Sequence, residues 1–226
     1  MSSPEIRVAS ILSMPFAENT YVANLEGRRD CLIVDPGLEP EKILQYVDAE
    51  DLTPAAVLLT HGHGDHIGGN QTVKDRWSDC PLVIGRHDAP KLTDPMLNLS
   101  GLLGAGVVSP PADVLLDEGD VYCAAGFELE VLEIPGHSSG HIVFIWKQHE
   151  PYIVFGGDVL FAGSIGRTDF PGCSFEQLAE GIHSKLFLLP DDTVVLSGHG
   201  EPTTIGREKQ NNPFVGEPAG YRPSGE

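Results

Sequence analysis

Between Thr60 and Gly69 the chain reads THGHGDHIGG, so the imidazoles of His61, His63 and His66 and the carboxylate of Asp65 fall within six residues. A packed protein gains nothing from gathering side chains that are costly to bury, whereas a divalent ion needs such a set. Three further positions share the context. His137, Asp158 and His199 lie just past the apolar runs LEVLEI, YIVF and TVVLS, as HGHGDH lies past AAVLLT. Strand-end loops are where a rigid sheet can aim side chains at one point. His61 and His63, two apart, point to the same face of extended backbone, and Gly62 between them adds no bulk that would keep an ion away. Seven such side chains exceed the tetrahedral set of one ion but suit two ions that share a carboxylate and keep a position open for water. Without thiolate, the set accommodates zinc, the first expectation, or iron or manganese. PGHSSGH offers both His137 and His141, and spacing alone does not choose between them. His141 opens the strand HIVFIW, where a packed, hydrogen-bonded role is suited to it. His87, His149 and His183 sit in no comparable context and read as ordinary polar residues.

Strands and helices must hold these loops in place. IRVASIL, NTYVANLEG and DCLIVDPG read as strands joined by turns, and EPEKILQYVDAED as a short amphipathic helix with Ile43, Leu44 and Val47 on one side. AAVLLT is a buried strand running into the histidine motif, and Ile67–Trp77 can form the next helix. PLVIG is another strand, and residues 88–111 read as an irregular excursion. DVLLDEGDVY, FELEVLEIPG, HIVFIW and YIVFGGD read as strands. A helix starts at Ser174, which forms a capping box with Gln177, and its apolar stripe is Phe175, Leu178, Ala179, Ile182 and Leu186. DTVVLSGHG is the last buried strand, and the stretch from Glu201 onward reads as Pro/Gly-rich coil. The whole of 1–226 is expected to be one domain of the α/β or α+β class, with about 213–226 as a coil tail.

Charge narrows the possible partners. With 14 Lys+Arg against 33 Asp+Glu, the net charge of −19 opposes binding to nucleic acid and to anionic membrane surfaces. No apolar run approaches the roughly 20 residues of a membrane span, and the N-terminal residues show no basic region followed by an apolar one. The expectation is a cytoplasmic protein acting on a small molecule. Cys31, Cys80, Cys123 and Cys173 are widely spaced and expected to be reduced thiols.

In this order of motifs, His61, His63, Asp65 and His66 followed by His137, Asp158 and His199, the chain resembles the metallo-β-lactamase superfamily. The likeness runs from ENTYV and LIVDPG to SGHGEPTTIG. It implies a four-layer αββα sandwich with two metal ions at one edge. His61, His63 and His137 would hold one ion, Asp65, His66 and His199 the other, and Asp158 would bridge them; the likeness thereby favours His137 over His141. IPGHSSGHIVF and GGDVLFAGSIGRTDFPG resemble glyoxalase II, the hydroxyacylglutathione hydrolases, in their compact bacterial form. Full-length members of that group continue into a helical region that supplies much of the glutathione contact. GRTDF, Gly166–Phe170, also resembles the persulfide dioxygenases, which use a single iron; such an enzyme would use His61, His137 and Asp158 and leave His199 dispensable.

The expected chemistry is hydrolysis of a thioester such as S-lactoylglutathione by a hydroxide held between two ions. The leaving thiolate is a weak base and needs no strong general acid. Asp65 is the expected acceptor of the nucleophile's proton, and Arg167 the cation expected near the substrate. Pairing with Asp169 is the alternative use of Arg167. Two ions, two carboxylates and a hydroxide leave a local charge of about +1, which can hold an anionic acyl-thiol inside an acidic protein. Asp35, closing LIVDPG, either forms the turn or orients a ligand histidine through its ring N–H. A β-lactamase would normally be exported, and a nuclease would need a basic track for phosphates; neither feature is present in the sequence. A non-catalytic metal-binding module would need no open coordination position.

Overall fold

The computed structural model describes residues 5–222. Its first half builds one sheet. Strands β1 (Ile6–Ser13), β2 (Glu18–Leu25) and β3 (Asp30–Val34) form an antiparallel meander. Helix α1 (Pro40–Ala49) then crosses to β4 (Thr53–Leu59), which pairs parallel with β3. The short helices α2 (Gly64–Ile67) and α3 (Asn70–Arg76) lead to β5 (Leu82–Gly85), and the excursion that follows ends in β6 (Val114–Leu116). These strands lie in the order β1-β2-β3-β4-β5-β6.

The second half builds a matching sheet from β7 (Val121–Ala124), β8 (Phe127–Glu133), β9 (Ile142–Trp146) and β10 (Ile153–Gly157). A small hairpin, β11 (Leu160–Phe161) and β12 (Ser164–Ile165), precedes helix α4 (Phe175–Ser184). Strands β13 (Val194–Ser197) and β14 (Thr203–Thr204) and helix α5 (Ile205–Asn211) complete the fold. The order is β14-β13-β10-β9-β8-β7, with β10 and β13 parallel.

Both faces of each sheet are covered, which is why the central strands read as unbroken apolar runs. Along β9 the pleat sends Ile142, Phe144 and Trp146 into the core between the sheets, while Val143 and Ile145 face α4 and α5. In β4, Ala56 and Leu58 face the other sheet, and Val57 and Leu59 pack under Ile43, Val47 and Val73 of α1 and α3. The result is the expected αββα sandwich. Two sets of loops meet along one edge of it, and both lie past strand ends.

Local details depart from the sequence reading. The helix expected over 67–77 starts three residues earlier, at Gly64, and breaks at Gly68–Gly69. DVLLDEGDVY is two strands in different sheets, since β6 ends the first sheet and the turn at 117–120 hands the chain to the second. Ser174 caps α4 by accepting the Gln177 N–H at 3.2 Å, but Phe175 is largely exposed and Leu186 lies in the 3-10 turn after the helix. The stretch read as coil from Glu201 contains β14, α5 and the fully buried Val215; residues 223–226 lie outside the described part. No helix among the described residues is long and apolar enough to cross a membrane.

Candidate metal centre

His61 and His63 leave β4 on extended backbone, with their rings 4.6 Å apart between centroids. His137, on the loop between β8 and β9, joins them, and one ligand atom from each of the three lies within 4.8 Å of the others. His63 Nδ1 and His137 Nε2 are 2.9 Å apart, so they must share either a proton or a cation. Asp65 and His66 ride on α2, whose first turn aims them at a second point. There they meet His199, from the loop after β13, in a set with the same 4.8 Å limit. Asp158, just past β10, stands between the groups: its carboxylate lies 3.3 Å from His137 Nε2, 3.5 Å from His66 Nε2 and 3.6 Å from His199 Nε2. All seven side chains singled out in the sequence therefore converge.

The outer ring nitrogens are spoken for. His137 Nδ1–H donates to the Arg167 carbonyl at 2.9 Å, His199 Nδ1–H to the Phe16 carbonyl at 3.1 Å, and His66 Nδ1–H to Asp35 at 3.1 Å. That leaves each Nε2 lone pair facing inward. His61 Nε2, His66 Nε2 and Asp158 Oδ1 are buried without any hydrogen-bond partner among the described residues. Buried polar atoms without partners are costly, and a divalent ion is the partner that satisfies imidazole nitrogens and a carboxylate oxygen placed together in this way. The residues fit two ions.

The metallo-beta-lactamase superfamily model matches residues 14–199, which takes in every one of these positions. The chain belongs to that superfamily. It is 45% identical over 203 residues to the probable metallo-hydrolase YqgX of Bacillus subtilis, covering 89% of this chain and 93% of that protein. Hydroxyacylglutathione hydrolase GloC of Haemophilus influenzae is 39% identical over 197 residues, covering 84% and 89%. Among solved structures, the BLEG-1 B3 metallo-beta-lactamase is 38% identical with a TM-score of 0.88, over 92% of this chain and 99% of that one. TTHA1623, in a di-iron-bound form, is 35% identical with a TM-score of 0.80, over 92% and 100%. ETHE1 from Myxococcus xanthus is 28% identical with a TM-score of 0.77, over 93% and 85%.

The two ligand groups of this superfamily member differ electrostatically. Burial, reinforced by the neighbouring imidazoles, pushes His61 and His63 well below the ordinary histidine range, and burial lowers His137 despite the nearby Asp158. At His66 burial acts the same way but is outweighed by Asp158, Asp65 and Asp35, so its pKa rises well above the ordinary value. His199 also rises: burial opposes, and Asp65 and Asp158 prevail. Asp65 is the counterpart, its burial outweighed by His66 and His199, which hold it well below the usual carboxylate range.

Supporting residues complete the centre. Asp35 sits at φ 50°, buried, and accepts from Thr60 N–H at 2.8 Å and Thr60 Oγ1–H at 2.7 Å as well as from His66. Thr60 Oγ1 in turn lies 3.1 Å from His61 Nδ1, so one carboxylate steadies a histidine of each group. His141 is not in either group: its Nε2 accepts the backbone N–H of Asp158 at 3.0 Å, and its ring stacks on His61. Gly62 needs a different explanation from the one its place between two histidines suggests. A Cβ there would meet Lys91 Cβ at 2.6 Å and the Asp88 carbonyl at 3.1 Å, and its nearest neighbours include no ligand atom. The glycine that keeps the centre open is Gly198, where a Cβ would collide with Asp158 Oδ1 and lie 2.7 Å from His66 Cε1.

Two supports were missed in the sequence. Asp88, fully buried, accepts from Gly62 N–H at 2.9 Å and Gly140 N–H at 2.7 Å, and from Ser138 Oγ and Lys91 Nζ, so it ties the His61–His63 loop to the His137–His141 loop. Asn19, in ENTYV, donates its side-chain amide to the carbonyls of Ser197 at 3.1 Å and Gly200 at 2.8 Å, and its own N–H to Gly198. It clamps the His199 loop to the first sheet. Arg167 lines the cavity over the centre, yet its guanidinium forks onto Asp169 at 2.7 Å through both contacts and lies 4.0 Å from the centre of the Phe170 ring. His87, His149 and His183 lie outside both ligand groups.

Proposed function

We propose that this chain is a binuclear metallo-hydrolase that cleaves acyl-thiol esters of the S-acylglutathione type, S-lactoylglutathione among them. His61, His63 and His137 would hold one ion and Asp65, His66 and His199 the other, with Asp158 placed between the two sets. Zinc is the expected metal, with iron or manganese as the alternatives. The observation that carries the reading is the convergence of partnerless, buried His61 Nε2, His66 Nε2 and Asp158 Oδ1 beneath an open cavity. The likeness to a hydroxyacylglutathione hydrolase supports the substrate class.

Two divalent ions, when bound, supply a water of lowered pKa and a Lewis acid for the acyl oxygen. The chain's own part is positional. Asp65, held as a carboxylate by His66 and His199, takes the nucleophile's proton at a carboxylate oxygen while remaining in the ligand set. His137 is held through Nδ1–H on the Arg167 carbonyl, which orients its Nε2 toward the position an ion would take. No side chain needs to protonate the departing thiolate, whose basicity is low.

The test is purified protein with its metal content measured, offered S-lactoylglutathione, a β-lactam, and a persulfide with oxygen uptake recorded. Thioester turnover that scales with metal content supports the proposal. Persulfide-dependent oxygen consumption without thioester turnover would replace it with an iron dioxygenase, a second reading favoured by Gly166–Phe170 and by the likeness to ETHE1. Turnover of the β-lactam alone would favour the activity named for BLEG-1.

A further inference from the structure

A cavity of about 550 Å³ opens above both ligand groups. Its floor is polar, because the ligands lie there, but its flank is not. Phe16, Leu38, Leu99, Val107 and Phe161 come from four separate segments and present only carbon. Asn98 and Ser100 also line it, yet their polar atoms are used inside their own loop. Asn98 Nδ2 donates to the carbonyls of Lys91 at 3.1 Å and Val107 at 2.9 Å, and Asn98 Oδ1 accepts from Ser100 N–H and Oγ–H at 3.0 and 2.6 Å. Ser100 Oγ accepts the Val107 N–H at 2.8 Å. Among the described residues, Arg167 is the one arginine or lysine in the lining, and Asp169 already occupies its fork.

We infer that this flank seats the acyl group of the substrate and selects apolar acyl chains longer than lactoyl. The inference rests on the thioesterase reading and names its substrate class. The glutathione arm carries two carboxylates and an ammonium, which need ionic partners the flank does not offer; it therefore lies outward at the mouth, and the carbon-lined side is left to the acyl chain. Burying a methylene there favours binding by about two- to fourfold.

The experiment keeps the leaving group constant. kcat/KM is measured on the metal-loaded full chain for S-lactoyl-, S-butanoyl- and S-hexanoylglutathione, each corrected for its rate of hydrolysis by free hydroxide. The expected result is a rise of about two- to fourfold per methylene, leaving the hexanoyl ester at least about tenfold above the lactoyl ester. A flat or falling series, with all three cleaved, overturns the inference and leaves the thioesterase reading standing. In parallel, S-hexylglutathione and S-methylglutathione, thioethers that cannot be cleaved, are compared by calorimetry. Hexyl is expected to bind at least about thirtyfold tighter, and equal affinity overturns the inference whatever the turnover. If no thioester is cleaved, the reading beneath it fails instead. Phe16→Ser, at a half-exposed position outside the core, is expected to flatten both series.

Discussion

The two ligand groups lie side by side yet are built on opposite terms. His61, His63 and His137 form an all-nitrogen set, deeply buried, in which desolvation keeps every ring neutral. Asp65, His66 and His199 form a mixed set, with Asp65 and His199 partly open to solvent and carboxylates drawing protons onto the imidazoles. The first set is prepared for a cation by removing water and the second by supplying negative charge. Asp158 touches both, and Asp35 steadies both from behind.

The sharpest way to break this comparison is to remove what the halves share. Asp158→Ala is expected to strip metal from both sets and to lower thioester kcat/KM by on the order of a thousandfold or more, the several kcal/mol attributed to bound ions. Elemental analysis alongside kinetics checks it; full occupancy with full turnover would show that Asp158 does not join the two groups. His199→Ala isolates the halves. It is expected to leave about one ion per chain, in the all-histidine set, and to reduce thioester turnover by about a hundredfold. Unchanged turnover with one ion bound would instead favour chemistry run from the first set alone.

These halves were unequally legible in the sequence. HGHGDH is local, so the density of ligands in six residues announces itself, and the apolar runs before His137, Asp158 and His199 mark strand ends. Asp88 gives no such signal. Its partners are Gly62, Lys91, Ser138 and Gly140; Gly62 comes beside it only when β4 pairs with β5, and Ser138 and Gly140 only when the two sheets pack. Helix α5 escaped for a related reason. It docks through Ile205 and through Glu208, whose buried carboxylate accepts from Thr203 Oγ1, Gly163 N–H and Asn212 Nδ2. A helix anchored by one apolar residue and one carboxylate has no 3.6-residue apolar period to detect. The division of DVLLDEGDVY between two sheets is equally silent, because alternation looks the same whichever sheet receives the strand.

Supports specific to each half sharpen the comparison further. Asp88→Asn keeps the size of the side chain but cannot accept from Gly62, Ser138 and Gly140 together while facing Lys91. It is expected to weaken metal binding at the all-histidine set by about 10- to 100-fold, with the mixed set spared. Asn19→Ala frees the His199 loop from two amide hydrogen bonds, and a loss of up to about tenfold is expected at the mixed set alone. Stepwise titration against a chelator of known affinity separates the two sites. Both variants weakening the same step would contradict the division of labour.

Acid provides the gentlest separation, and its sign follows from the opposite shifts. A histidine whose pKa is raised keeps its proton at pH values where an ordinary one, near about 6.5, has lost it. In the metal-free protein His66 and His199 therefore compete with a cation through protons, whereas His61, His63 and His137 present free lone pairs at the same pH. Asp65, held well below the usual range, stays a carboxylate throughout and does not contribute to the loss. As pH falls, the mixed set is expected to release its ion first, beginning above about 6.5, and the all-histidine set to hold until well below it. Equilibrium dialysis at stepped pH, with metal counted per chain, should show two separate losses. His199→Ala should show only the lower one, because the site that empties early is already gone. A single shared step in the wild-type chain would mean that the ions bind as one unit through Asp158, and that the electrostatic contrast between the halves is overridden once both are present.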